Sequence, residues 1–427
     1  MHKHLRSLSK AVATAGCLAV LVTAGCGTSS KTGGTGGSGC PSGTKALNLA
    51  TEFPVSGTDA TATIPAQNGV DLAVSQAQLS CGFTLNIIHK NDEGASGADA
   101  SIGATNVRAL VSDPSVIGIV GPFNSGVGKA EIPVVNEAGG PVLISPTNTN
   151  PGLTISQYAS ANGIVFSVLH PAGKPDYYFR IPANDVAQGK ADAMVALSPQ
   201  VGGTAAYVID DNTTYGKGLS DYFTSAFQAG NGTIKGRQSV TPAQVSSFPQ
   251  LATTIKNSGA NVVFYGGVTS QGGGALKKDL VAAGFNGAMV GGDGIADDPG
   301  WLTTAGGAAV NTVATIAAPD ITALNNSAAQ AFQTAYNAKF SGQALTAYSA
   351  QSYDAANVII EAIKNVIAAH KSVTRANVRD AVAAISFTGV TGNISFDSNG
   401  DNKSGLFSVY AVDATGKWVF KQEITIS

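Results

Sequence analysis

The chain has 427 residues, 25 Lys and Arg against 27 Asp and Glu, and a net charge of −2. No basic stripe stands out in the sequence, which excludes electrostatic binding of nucleic acid. Hydrophobic content of 44% can fill two cores, and no repeat of roughly 20–50 residues points to a solenoid.

The first element is an export signal. Lys3, Arg6 and Lys10 precede an apolar run over 11–24, which ends at Gly25-Cys26 and gives way to a Gly/Ser/Thr leash over 27–39. This order predicts a lipoprotein signal over 1–25, lipidation at Cys26 and a tether over 26–44. Thr23 stands where such signals usually carry an aliphatic residue, so simple secretion is the alternative. The run of about 14 apolar residues is shorter than the ~20 a spanning helix needs. Cleavage leaves 22 basic against 27 acidic side chains, a charge of −5. A chain tethered on the outer face of the cytoplasmic membrane has few available roles, with capture of small solutes foremost. Cys17 leaves with the signal, and Cys40 and Cys81 form an even pair in an oxidising compartment. Each precedes a predicted strand, so a structural disulfide is expected.

From Lys45, strands over 46–51, 83–89, 116–120 and 142–145 alternate with helical patterns over 64–79, 99–111 and 127–138. A loop-rich interval spans 147–175. The rhythm resumes with helix 185–197, strand 205–210, helix 215–229, strand 233–240, helix 247–258, strand 261–265, helix 275–283 and strand 288–291. Helices over 328–340, 350–369 and 374–384 follow, then strands near 393–396, 407–413 and 418–426. This pattern predicts βαβ units in an α/β fold: two open parallel-sheet lobes in series, the helical tail recrossing between them. Ligands of open α/β sheets bind outside the carboxyl ends of the strands. The candidate cleft segments are therefore 121–125, 146–149, 211–215, 266–269 and 292–294.

Enzyme constellations are poor. His89, His170 and His370 are far apart in sequence, no G-x-S-x-G elbow occurs, and GPFNSGVGKA from Gly121 lacks the spacing and terminal hydroxyl of a phosphate loop. DSNGD from Asp397 imitates the start of a calcium loop, but Asn402 and Ser408 stand where Gly and Glu belong, so a hairpin turn is expected. No catalytic residue, metal or cofactor is implied. Ser125, which opens a helix after a strand, can meet an anion, with Ser145-Pro-Thr147-Asn148-Thr149 beside it. Asp293 in GGDG can aim a carboxylate inward. Together they suit a zwitterion, although Ser125 as a helix cap and Asp293 as a turn residue are equally good readings of the pattern.

At these residues the chain resembles the branched-chain amino-acid-binding proteins of ABC importers, the type I periplasmic binding family. The matching blocks are IVGPFNSGVGKAEIPVVNEAGGPVLISPTNTNPGLT from Ile119, FRIPANDVAQG from Phe179, DDNTTYGKGL from Asp210 and FYGGVTSQGGGALKKDLVAAGF from Phe264. GGDGI from Gly291, SYDAANVIIEAI from Ser352 and VTGNISFDSNGD from Val390 extend them. The resemblance covers nearly all of 45–427 and implies a central cleft with three hinge crossovers, with lobe 1 at 45–180 and 318–388 and lobe 2 at 181–317 and 389–427. It also implies that Asn124-Ser125 and Thr147–Thr149 (Asn148 between them) hold a ligand carboxylate and ammonium from lobe 1. Tyr215 and Asp293 then reach the ligand from lobe 2. Departures affect the side-chain wall: the stretch 58–64 around Ala62 has no aromatic, Val268 replaces a ligand-facing Tyr, Asn124 adds a polar group, and Tyr348 joins the same wall. The implied partners are an amino acid or similar small zwitterion, permease and ATPase subunits, and the membrane through the lipid, for a monomer. A ligand-sensing receptor subunit, or a binder of amides or other small carboxylates, is the alternative.

Overall fold

In the computed structural model, which describes residues 39–241 and 246–426, two sheets stand side by side in one compact unit. The expected signal with Cys17 and Cys26, and the tether up to residue 38, lie outside the described residues. The first sheet holds β1 (Ala46–Glu52), β2 (Thr84–Lys90), β3 (Val116–Val120), β4 (Val142–Ser145) and β5 (Tyr178–Arg180), ordered β2-β1-β3-β4-β5 and parallel throughout. β3 and β4 are buried at every residue, as expected for strands covered on both faces. Helices Ala60–Gln76 and Ala347–Ala368 pack together on one face, and helices Ala100–Ser112 and Ser125–Ala138 cover the other.

The second sheet contains β6 (Ala205–Asp210), β7 (Thr233–Ser239), β8 (Val262–Gly266), β9 (Ala288–Gly291), β10 (Thr312–Ile316), β11 (Leu406–Val412) and β12 (Trp418–Thr425). Its order is β12-β11-β10-β9-β8-β6-β7, parallel from β10 to β7 and antiparallel at β10-β11-β12. The period-two alternation of strands sorts its side chains. Val262 and Phe264 enter the core beneath helices Asp185–Leu197 and Thr214–Ala229, whereas Val263 and Tyr265 enter the core on the opposite face.

The chain passes from the first sheet to the second after β5, returns after β10, and crosses again between Ile394 and β11. Several elements depart from the sequence reading. β5, β10 and helix Pro299–Ala305 were not expected, and the 147–175 interval holds short helical turns, Ser156–Ala159 and Phe166–Leu169 among them. Cys40 and Cys81 are joined by a disulfide just before β1 and β2, whose register begins at Ala46 opposite Thr84. Among the described residues no helix is long and apolar enough to cross a membrane.

The DSNGD segment is a tight turn: Asp397 Oδ1 accepts N–H bonds from Asn399 and Asp401, and Phe396 bridges Asn402. Gly400 takes φ +81° there, and a Cβ on it would stand 2.5 Å from Tyr178 O, so only glycine allows the approach. The turn delivers Asp401 to Arg180, whose side chain is fully buried. Arg180 Nε and Nη2 donate to the two Asp401 oxygens at 2.7 and 2.8 Å, Nη1 donates to Asn150 O at 2.7 Å, and Nη2 also donates to Thr154 Oγ1 at 2.6 Å. Removing one partner of such a pair leaves a buried charge unmet. Asp401→Ala should therefore lower unfolding free energy by about 3–5 kcal/mol in urea titrations. A loss below about 1 kcal/mol would mean that Arg180 is satisfied without its partner.

Candidate functional site: a closed cleft between the two sheets

Loops at the carboxyl ends of strands from both sheets enclose a cavity of about 580 Å³, within the range of small-molecule sites. Lobe 1 contributes the start of helix Ser125–Ala138, entered directly from β3. Asn124 occupies the cap position without a side-chain capping bond, so the N–H groups of Ser125 and Gly126 at the helix start remain open for an anion. Ser125 is 2% exposed and its Oγ accepts from Asn150 N at 3.4 Å, which leaves its proton for a ligand. Helix Thr214–Ala229 opens on the same cavity from lobe 2. The two N-termini face each other closely enough that a Cβ on Gly126 would lie 3.8 Å from Thr214 Oγ1.

The loop after β4 is tied down by its own polar groups. Ser145 Oγ donates to Pro122 O at 2.7 Å and accepts the N–H groups of Thr147 and Asn148. Thr147 lines the cavity, but its hydroxyl donates to Phe123 O at 2.7 Å, so that proton is committed. Asn148 is a correction to the sequence reading. Its amide donates to Pro122 O and Phe123 O and accepts from the Tyr178 hydroxyl, so it points away from the cavity as a brace. Thr149 does not border the cavity either. It is fully buried, and its hydroxyl sits beside the Asp185 carboxyl, whose ionised form it favours.

Asp293 lies in the turn after β9 and is 5% exposed. Its Oδ1 accepts from the Tyr215 hydroxyl at 2.7 Å, and that hydroxyl oxygen accepts from Gly294 N. Tyr348, at the start of helix Ala347–Ala368, donates to the Asp293 carbonyl and packs edge-on against Phe123 with ring centroids 5.0 Å apart. Burial pushes the Asp293 carboxyl up to about 6, with the hydrogen bond from Tyr215 acting against it. Asp185 and Asp192 lie behind it, fully buried and raised first by burial and then in part by the Asp293 charge. None of the ion pairs among the described residues involves these three acids. Of the three, Asp293 is the one that lines the cavity, at its lobe 2 end.

Of the residues singled out from sequence, Asn124, Ser125, Thr147, Tyr215, Val268, Asp293 and Tyr348 line this one cavity. Asn124 Oδ1 is buried without a partner. Ala62 packs against the hydrophobic core, and the residue of its segment that reaches the cavity is Asp59. Sequence reasoning missed Asp59, Ser270 and Gln271. The rule that ligands sit beyond strand carboxyl ends covers the loop after β1 as well, where Asp59 is the polar residue that lines the cavity.

The cleft is shut along both flanks. On one, Asn150 Nδ2 donates to Thr214 O at 2.8 Å, and Asn162 Nδ2 to the Tyr222 hydroxyl at 3.1 Å. On the other, Thr61 Oγ1 donates to Asp298 at 3.0 Å, and Gln271 Nε2 to Ser96 O at 2.9 Å.

Residues 48–417 match the family described as periplasmic binding protein. The Leu/Ile/Val-binding protein BraC3 of Rhizobium johnstonii is 28% identical over 377 residues, covering 84% of this chain and 90% of its own. The leucine-binding protein LivK of Thermotoga maritima has a similar fold (TM-score 0.76, 22% identity, 89% of this chain and 99% of that one). So does LivJ of Streptococcus pneumoniae, solved with isoleucine (TM-score 0.74, 23% identity, 90% and 99%). A solute-binding protein from R. palustris solved with benzoate also shares the fold (TM-score 0.71, 20% identity, 89% and 97%).

Folding raises Asp293 above the unfolded value of about 4, so its ionisation opposes folding, and the stability it contributes is lost as pH rises from about 4 through 6. Asp211 and Asp354, raised to about 6, and Glu93 and Asp297, raised to about 7, all chiefly by burial, act in the same sense. Asp99 and Asp113 shift down, but both are solvated and weigh little. The ligand-free thermal midpoint should therefore be higher at pH 5 than at pH 8. A midpoint that rises with pH would mean that these acids are paired in solution.

Proposed function

Because the chain belongs to the periplasmic binding protein family, we propose that it is an extracytoplasmic solute receptor that captures a small α-amino acid by closure of two lobes. The observation that carries this reading is the buried, cation-free Asp293 facing an open helix N-terminus across one cavity. A zwitterion answers both poles. Its carboxylate meets the Ser125 hydroxyl and the first N–H groups of helix Ser125–Ala138, with the Thr149 hydroxyl one layer behind, beside Asp185. Its ammonium meets Asp293, which Tyr215 holds in place, and the Thr147 carbonyl. The lobe division is proposed at 45–180 with 318–388 and 181–317 with 389–427. The ligands in the names of the relatives, leucine, isoleucine and valine, support an amino-acid ligand.

In this reading the protein is exported, cleaved before Cys26, anchored there by lipid and works as a monomer. It hands its ligand to the permease and ATPase subunits of an ABC importer. Catalysis has no part in it. The relative solved with benzoate favours one rival, a carboxylate ligand without an ammonium. A ligand-sensing subunit would use the same cleft with a different partner.

Asp293→Ala should weaken amino-acid binding by about 2–5 kcal/mol, a loss of some thirtyfold or more in calorimetric Kd. Ser125→Ala should cost about 1.5–3 kcal/mol, because other donors to the carboxylate remain. Undiminished affinity in Asp293→Ala would overturn the zwitterion reading in favour of an ammonium-free acid.

A further inference from the structure

The cavity extends past the zwitterion poles to a second polar end. Asp59 occupies the cap position of helix Ala60–Gln76 after β1, is 8% exposed and lines this end with Ser270 and Gln271 of lobe 2. Their polar atoms converge on one point. A Cβ built on Gly97, which takes φ +97°, would stand 3.2 Å from Asp59 Oδ2, 3.2 Å from Gln271 Nε2 and 3.4 Å from Ser270 Oγ. The absence of a side chain at residue 97 lets these three groups pack this closely against the backbone.

The Asp59 carboxylate accepts Ala98 N at 3.3 Å and does not cap its own helix. Ser270 Oγ is buried beside that carboxylate and favours its ionised form. The charged groups around Asp59 are acids: Glu93 on the segment after β2 and Asp298 at the start of helix Pro299–Ala305 both act on it or feel it electrostatically. Lys129, the basic residue lining the cavity, directs its Nζ to Gly163 O at 2.6 Å. Between the two ends the wall is apolar, formed by Ala98, Ala100, Phe123 and Val268.

An acid in a closed cleft, with acids as its neighbours, is poorly served by a methyl group: closing the cleft on an aliphatic tail strips its water and returns nothing. On the premise that the cleft is an amino-acid site, we propose that Asp59, with Ser270 and Gln271, forms the side-chain subsite. The ligand is then an amino acid whose side chain ends in an N–H donor, an ammonium or a carboxamide. Asp59 is the residue that sets specificity against purely aliphatic amino acids.

The test is calorimetry on the full-length chain, freed of carried-over ligand by unfolding and refolding. The panel is lysine, ornithine, glutamine, norleucine, leucine and benzoate. The wild type should bind at least one N–H-tailed amino acid about tenfold to a hundredfold tighter than norleucine. Asp59→Leu should erase that ratio or invert it in favour of norleucine. Asp59→Asn should weaken lysine and ornithine more than glutamine if the tail is an ammonium, and spare glutamine if it is a carboxamide. A thermal midpoint near the wild-type value checks that each variant is folded. Leucine or norleucine bound as tightly as any N–H-tailed ligand, or a ratio unmoved by Asp59→Leu, overturns the subsite while leaving the amino-acid reading intact. Benzoate binding with silence from every amino acid overturns the amino-acid reading and the subsite together.

Discussion

Everything at the cleft depends on how the crossovers are held, and Arg180 holds them. It ends β5, immediately before the chain leaves the first sheet, and its guanidinium binds Asp401 from the last crossover and Asn150 O from the loop after β4. Asn150 in turn donates to Thr214 O across the cleft. A single buried cation therefore joins two of the three crossovers to a segment that touches both lobes. A planar fork with five donors in fixed directions suits this arrangement, since two bonds hold Asp401 and two hold the loop after β4 at Asn150 and Thr154. Lysine could supply the charge without the geometry.

The second constraint is electrostatic and runs the opposite way. Two buried acids line the cleft with no ion-pair partner among the described residues: Asp293, with Asp185 and Asp192 behind it, and Asp59, near Asp298 and Glu93. Burying such groups opposes folding, so their presence at one cavity is poorly explained by stability. A ligand bearing positive charge turns that cost into binding energy, because the charges are already placed and desolvated before it arrives. It also gives closure a cause. The bonds between Asn150 and Thr214, and between Thr61 and Asp298, are weak individually, and a ligand held by both lobes favours the closed arrangement only through contacts the open one lacks.

Much of this was legible from the chain. β3, β4 and β9 are short runs dominated by Val, Ile, Leu and Met between turn residues, and their pattern places the loops that bear Ser125, Thr147 and Asp293. β5 escaped because three residues carry no periodicity, and it is defined instead by pairing with Leu143, Ile144 and Ser145. β10 reads TVATI, with threonines whose burial comes from contacts such as that between Thr315 Oγ1 and Asp192 Oδ1, 123 residues away. Asn148 shows the limit most clearly. Its neighbour Thr147 faces the cavity while its own amide clamps Pro122 and Phe123, and the loop sequence PTNT does not record which side chain turns which way.

Asp59 illustrates a different limit. At the start of a helix, an aspartate reads as a cap, and that reading is right for most such residues. Here the capping bond is absent, the carboxylate turns instead toward Ala98 N, and Gly97, with no Cβ, lets Asp59, Ser270 and Gln271 crowd together beside it. The segments that meet at that point are joined by bonds spanning 39 and 175 residues of chain, the first within lobe 1 and the second between the lobes. A pole assembled in this way exists only when the lobes are closed. In the proposed reading, the closure that completes the amino-acid site also brings Ser270 and Gln271 to Asp59, so that selection of the side chain and commitment to the closed state would be one event.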